Sequence, residues 1–202
     1  MAGPGYLTTT QNSPLTTELS EVKLLFVGPP GAGKGTQAGL VAARLGIPHI
    51  STGEMFRHHV SAGTDLGKRV KAILEEGGYV PDDITVAMLA ERLDENDARE
   101  GYILDGFPRT GQQTEALDGL IGRNGLDRVV LFEVDEDSLV GRMLARGRAD
   151  DTEDTIRNRF KIYQEQTSPL IDIYEDRGLV VRVDGTGEID EITERVLAAV
   201  RS

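Results

Sequence analysis

The 202-residue chain contains no cysteine. That excludes disulfides and thiolate-bound metal, including structural zinc held by cysteine, and it fits a reducing compartment. Aromatic residues make up only 5%. The apolar content of 39% is mostly aliphatic, enough for a sizeable core and too much for a globally disordered chain. Long apolar runs are also missing. The longest, around Leu24–Val27, has the length of a buried strand, far short of the roughly 20 residues a bilayer-spanning helix needs. Positive charge is in deficit: 22 Lys and Arg against 34 Asp and Glu give a formal net charge of −12. Such a chain repels nucleic acid and anionic membranes at long range, so any anionic ligand must be held by a local basic cluster. Residues 1–21 have neither a basic start nor an apolar stretch, which argues against a secretory signal. Their Gly, Pro, Ser, Thr and Asn content predicts a flexible tail.

Beyond residue 21 the pattern alternates. Val22–Gly28 reads as a buried strand, followed by a helix over 36–45 that Gly46 is placed to end. Pro48–Ser51 is a short extended piece. Ser51 and Glu54 have capping-box spacing before a short helix to Val60. Asp65–Glu75 repeats apolar residues on one face until Gly77 and Gly78 break it, and Pro81–Asp83 opens another helix with Ile84, Met88 and Leu89 inward. Tyr102–Asp105, Arg128–Val134 and Leu179–Val183 are strands. Helices are predicted over 110–121, 138–145 and 189–200, with a long one from Glu153 that Pro169 should kink. Strands alternating with helices predict an α/β fold on a parallel sheet in one domain, with no internal repeat.

Gly28-Pro29-Pro30-Gly31-Ala32-Gly33-Lys34-Gly35-Thr36 joins the first strand to the first helix with the spacing of a phosphate-binding P-loop. Glycines let successive backbone amides point inward at phosphate oxygens. The helix directs its N-terminal amides there, and Lys34 adds a full charge. Gly35 follows the lysine, so the hydroxyl stands one place later, at Thr36, and metal coordination by Thr36 is left open. A second signal is basic: Arg142, Arg146, Arg148, Arg157 and Arg159 crowd together in an acidic chain. Planar guanidinium forks grip phosphate at two points. The competing explanation is a solvated face paired with Asp150, Asp151, Glu153 and Asp154, and for Arg157 it is the better one. Asp105 ends a strand, where ligands gather in open parallel sheets. Three histidines, His49, His58 and His59, lack partners at metal spacing and read as structural.

Three segments together carry a family resemblance: Gly28–Gln37 (GPPGAGKGTQ), His49–Gly53 (HISTG) and Asp105–Arg109 (DGFPR). In this order they resemble the adenylate kinases, over the chain from about Val22 onward. The resemblance implies a P-loop nucleoside triphosphatase-type three-layer fold with an AMP-binding helical insert over 51–80 and a short lid over 145–154. It implies that Gly31, Ala32, Gly33, Lys34, Gly35 and Thr36, with Arg142, Arg146 and Gly187, hold ATP. It implies that AMP is held by Thr52, Arg57, Gly78, Tyr79, Val80, Gly106, Phe107, Pro108, Arg109 and Gln113, with Arg148 and Arg159. Lys34, Arg109, Arg148 and Arg159 are the implied catalytic group, and Asp105 the residue that orients hydrated magnesium. Only Gly147 separates Arg146 from Arg148, which resembles the short-lid form. Uridylate/cytidylate kinases share that form. Relatives accepting pyrimidines tend to have alanine at the position of Thr52 and asparagine at that of Thr110, which favours AMP here, and Gln113 can offer an amide to adenine. The implied enzyme is a cytoplasmic monomer working on ATP, AMP and ADP, with no nucleic acid or membrane partner. The alternatives are a uridylate/cytidylate kinase and a silent nucleotide-binding regulator.

Overall fold

In a computed structural model of the protein, the described residues are 21–148 and 151–201. The tail expected over residues 1–21 lies almost wholly outside them, as do two residues within the expected lid.

Five strands, β1 (Lys23–Val27), β2 (His49–Ser51), β3 (Tyr102–Asp105), β4 (Arg128–Glu133) and β5 (Val180–Asp184), form one parallel sheet in the order β2-β3-β1-β4-β5. Strand side chains alternate between faces, so each apolar strand feeds two cores. Leu24, Phe26, Ile103, Val130, Phe132 and Val183 pack on one face with helices α1 (Lys34–Leu45) and α9 (Ile189–Ala199). The rings of Phe26 and Phe132 meet edge to face at 5.2 Å. On the other face Leu25, Ile50, Leu104, Val129 and Leu131 meet α4 (Asp82–Leu93), α5 (Gly111–Ile121) and α8 (Leu170–Asp176) through Leu89, Leu117, Leu170 and Tyr174. Burying each such large side chain contributes about 1.5–3 kcal/mol.

A third, smaller cluster lies apart from the sheet. Phe56 from α2 (Thr52–Ser61), Val70 from α3 (Asp65–Glu75), Val80 and Met88 join α2 and α3 to α4. The expected capping contact is present: Ser51 Oγ accepts from the Glu54 amide at 3.4 Å. Gly46 ends α1 in the left-handed conformation, as its position suggested.

Most boundaries shift by a residue or two from the sequence expectation, and two differences have a clear local cause. The helix after β4, α6, runs Glu136–Arg146 because Asp135 caps it by accepting from the Ser138 amide at 2.9 Å. The long helix from Glu153 breaks earlier than Pro169. It divides into α7 (Glu153–Ile162), a π-helical turn (Tyr163–Thr167) and α8, with the amide of Ser168 reaching the Tyr163 carbonyl at 2.8 Å. The widened turn accommodates the proline ring two residues after it ends, and π-turns often sit at functional sites.

Candidate active site

The C-terminal ends of β1 and β3 are in register, Phe26 beside Asp105, so the loop leaving β1 and the loop leaving β3 lie side by side. A cavity of about 670 Å³ opens there, within the roughly 300–1,000 Å³ range of small-molecule sites.

The P-loop forms its floor. Gly31 has φ +85°, and a methyl group added there would stand 2.7 Å from the Leu139 backbone oxygen, so the loop can lie this close to α6 only as glycine. Lys34 opens α1 and turns back over the loop, donating to the Gly28 and Pro29 carbonyls at 2.8 and 2.9 Å. Burial lowers its pKa from 10.5 to about 8. Asp105 opposes that shift, and Arg109 and Arg146 add to it. Gly33, Gly35 and Thr36 also line the cavity. Ala32 does not: its side chain is buried in the core, leaving only its backbone to serve a ligand.

Asp105 sits beside the floor, with His49 Nε2 and Ser51 Oγ each 3.4 Å from its Oδ2. Burial alone would raise its pKa. The His49 contact and the charges of Lys34 and Arg109 outweigh that, and the carboxyl stays below 3.8.

Beyond Asp105 the chain turns. Thr52 Oγ1 donates to the Gly106 carbonyl at 2.8 Å and Arg109 Nε to the same oxygen at 2.7 Å. The Arg109 guanidinium lies 4.9 Å from the Tyr79 ring centre, a cation–π contact. Gln113 is buried: its Oε1 accepts from the Arg109 amide at 2.8 Å and its Nε2 donates to Asp82 Oδ1 at 2.6 Å. Gly106, Pro108, Gly78, Tyr79, Val80 and Arg57 line this half of the cavity. Phe107 is a core residue, 1% exposed, and lies behind the wall.

The other wall is basic. Arg142 and Arg146 project from α6, Arg148 follows it, and Arg159 comes from α7. Arg142 donates to the Gly185 carbonyl at 3.0 Å. Asp151, its side chain 1% exposed, accepts from Arg146 at 2.8 and 3.0 Å and from Arg159 at 2.7 Å. Arg157 stands apart, exposed and paired with Glu153, as the solvated-face explanation required. Gly187 is also away from the cavity lining, between β5 and α9. The same loop approaches the P-loop through Gly185, where an added methyl would lie 3.4 Å from the Ala32 carbonyl oxygen.

Residues 26–179 match the family model for adenylate kinase. The chain belongs to the adenylate kinase family. The adenylate kinase of Nocardioides sp. is 53% identical over 185 residues, covering 89% of this chain and 97% of that protein. The adenylate kinase of Nocardia farcinica is 51% identical over 181 residues, covering 89% and 99%. That of Kocuria rhizophila is 50% identical over 184 residues, covering 88% and 98%. Phosphoryl transfer between ATP and AMP is the activity that membership in the adenylate kinase family assigns. Among the described residues no helix is long and apolar enough to cross a membrane.

Several cavity residues carried no signal for the site in the sequence. Tyr163, read there only as core, also faces the cavity. Thr167 lies in the π-turn; its Oγ1 donates to the Arg109 carbonyl at 2.9 Å and stands 2.9 Å from Tyr79 Oη. It ties together the two partners of the cation–π pair from 58 and 88 residues away along the chain.

Proposed function

We propose that the chain moves the terminal phosphoryl group of ATP directly to AMP, giving two ADP. The observation that carries this is the convergence of six arginines and Lys34, from separate segments of an acidic chain, on one cavity. Two anionic substrates brought together need that much positive charge, and phosphoryl transfer is mostly a matter of positioning and charge neutralisation. An AMP phosphate oxygen attacks the γ-phosphorus as the bond to the β–γ bridging oxygen breaks. The attacking oxygen is already anionic, so no protein nucleophile or base is required.

In this reading the backbone of Gly31–Thr36 with Lys34, Arg142 and Arg146 holds the ATP phosphates, and the loop at Gly187 flanks the base. Arg57, Arg109, Arg148 and Arg159 take the AMP phosphate and the transferring group. Gly78–Val80, Gly106, Pro108, Thr52 and Gln113 hold the AMP nucleoside, with Phe107 supporting that wall from the core. The insert over 51–80 and the lid over 145–154 close on the pair and exclude water. Asp105 fits magnesium held through water: it is anionic, it lines the cavity, and its Oδ2 lies within 3.4 Å of where a side chain on Gly35 would begin. Thr36 is the second candidate ligand. The ion would neutralise phosphate charge. We further read the enzyme as a monomer acting in the cytoplasm, where its substrates are.

Base choice follows from hydrogen-bond polarity. Thr52 spends its only proton on the Gly106 carbonyl, so toward a ligand its hydroxyl can only accept. That suits a base carrying an amino group, as adenine and cytosine do, and disfavours uracil; the choice of AMP over CMP rests on the family. Gln113 retains one N–H beyond its bond to Asp82. The test is ADP formation from ATP and magnesium with AMP, UMP, CMP or GMP as acceptor. Strong turnover with AMP alone is expected. Preference for UMP or CMP would move the substrate assignment, and no transfer to any acceptor would overturn the reading.

A further inference from the structure

The end of α3 and the start of α7 are joined by a pair of side-chain hydrogen bonds at the rim of the cavity. A helix leaves its last carbonyls without intrahelical partners. At the end of α3 the carbonyls of Ala72, Ile73 and Leu74 are taken up locally by the amides of Glu76, Gly78 and Gly77. The next two are taken up by α7: Thr155 Oγ1 donates to the Glu75 carbonyl at 3.0 Å, and Asn158 Nδ2 to the Glu76 carbonyl at 2.8 Å. Thr152, the N-cap of α7, donates to the Thr155 hydroxyl at 2.9 Å and so orients its proton toward α3.

Packing reinforces the joint. Gly77 has φ +74°. A methyl group there would lie 2.9 Å from both the Thr155 backbone oxygen and its Cγ2, and 3.1 Å from Arg159 Cγ. The backbone that turns into Gly78–Val80 is therefore pressed against the stem of Arg159. Thr155 and Arg159 are four residues apart and share one face of α7. Gly77, Gly78 and Arg159 all line the cavity.

We propose that Thr155 and Asn158 are positioning residues for the acceptor nucleotide. They seat the end of the α2–α3 segment on α7, so that the Gly77–Val80 backbone and Arg159 are presented to the acceptor as one unit. This rests on the reading of that half of the cavity as the AMP side. The seat touches no P-loop residue and reaches Arg146 only indirectly, through Arg159 and Asp151, so its loss should weaken the acceptor much more than ATP.

The experiment uses the full chain carrying Thr155→Val, Asn158→Ala, both together, or Thr155→Ser. Losing one such bond should raise KM for AMP about fivefold, a change of the size expected for a single hydrogen bond. KM for ATP should stay within about twofold, and Thr155→Ser, which keeps the hydroxyl, should restore the AMP value. Backbone amides over 75–79 should exchange faster in Asn158→Ala while the melting temperature holds. An AMP value unmoved in the double variant, or KM for ATP rising in parallel, overturns the proposal. If the wild-type chain itself failed to use AMP, the functional reading would fall first, and amide exchange over 75–79 would still test the seat.

Discussion

Asp151 grips Arg146 with both carboxylate oxygens, Oδ2 to Nε at 3.0 Å and Oδ1 to Nη2 at 2.8 Å, from a position almost closed to solvent. The same Oδ1 receives Arg159. Two guanidinium groups that repel each other are thus held at one site by an internal anion. Burial alone would raise the Asp151 pKa. The Arg146 hydrogen bond and the charges of both arginines outweigh that and hold it below 3.8. A depressed carboxyl pKa contributes stability above the unfolded value that is lost as pH falls through the folded one. Arg146 is a third exposed, so Asp151→Asn should cost about 1–3 kcal/mol in ligand-free unfolding at neutral pH, the range for a lost charged hydrogen bond. The gap to wild type should close as pH drops below about 3.8. Urea titrations along that series check it, and a gap that stayed constant would refute the pairing.

Lys34 makes the opposite contribution. Its pKa falls from 10.5 to about 8 because the ammonium is buried. Between those values the unfolded chain holds a proton that the folded chain has released, so stability rises with pH across that window. Below it the full cost of burying the charge is present. Lys34→Met should abolish phosphoryl transfer, leave the ligand-free fold at least as stable at pH 7, and remove that alkaline rise. Chemical unfolding at intervals from pH 7 to 10.5 measures the difference. A variant that lost stability at pH 7 would contradict the account.

Thr52→Ala removes the hydroxyl proposed to accept from the base but leaves Arg109 Nε on the Gly106 carbonyl. Discrimination between AMP and UMP, as the ratio of kcat/KM values, should fall by about tenfold, in keeping with one lost polar contact to a base. An unchanged ratio would remove Thr52 from the recognition of the base.

Gly31→Ala should damage the ATP side. The residue would have to adopt φ +85° and place its methyl against the Leu139 carbonyl, which is helix backbone and cannot swing away. We expect about 2–3 kcal/mol lost in unfolding free energy and a larger rise in KM for ATP than for AMP. Equal rises would mean that the loop serves both nucleotides.

What was legible in the sequence was local. Alternating apolar runs and their glycine and proline boundaries identified four of the five described strands and left β2 as a short extended piece, because side-chain period and turn geometry depend on near neighbours. The P-loop was legible because one short segment holds all its parts. The early break at Tyr163 was not, since Pro169 marks a disruption without saying whether the helix kinks at the ring or widens before it.

The site divides along the same line. That Lys34, Asp105 and the arginines would serve phosphate chemistry followed from residue type, spacing and family resemblance. That Gln113 must satisfy Asp82 and the Arg109 amide before it can meet a base was decided by burial, which requires an amide to find partners inside the protein. Asp151 stood among four acidic residues with nothing to distinguish it, and Thr167 had no signal at all. Their roles arise from contacts across the turn of one helix pair and across 58 residues of chain. The sequence by itself determined which chemical groups this protein brings and the order of its elements. The tertiary structure decided which of those groups face one another, because hydrogen bonding and charge pairing act over a few ångströms of space, whatever the separation along the chain.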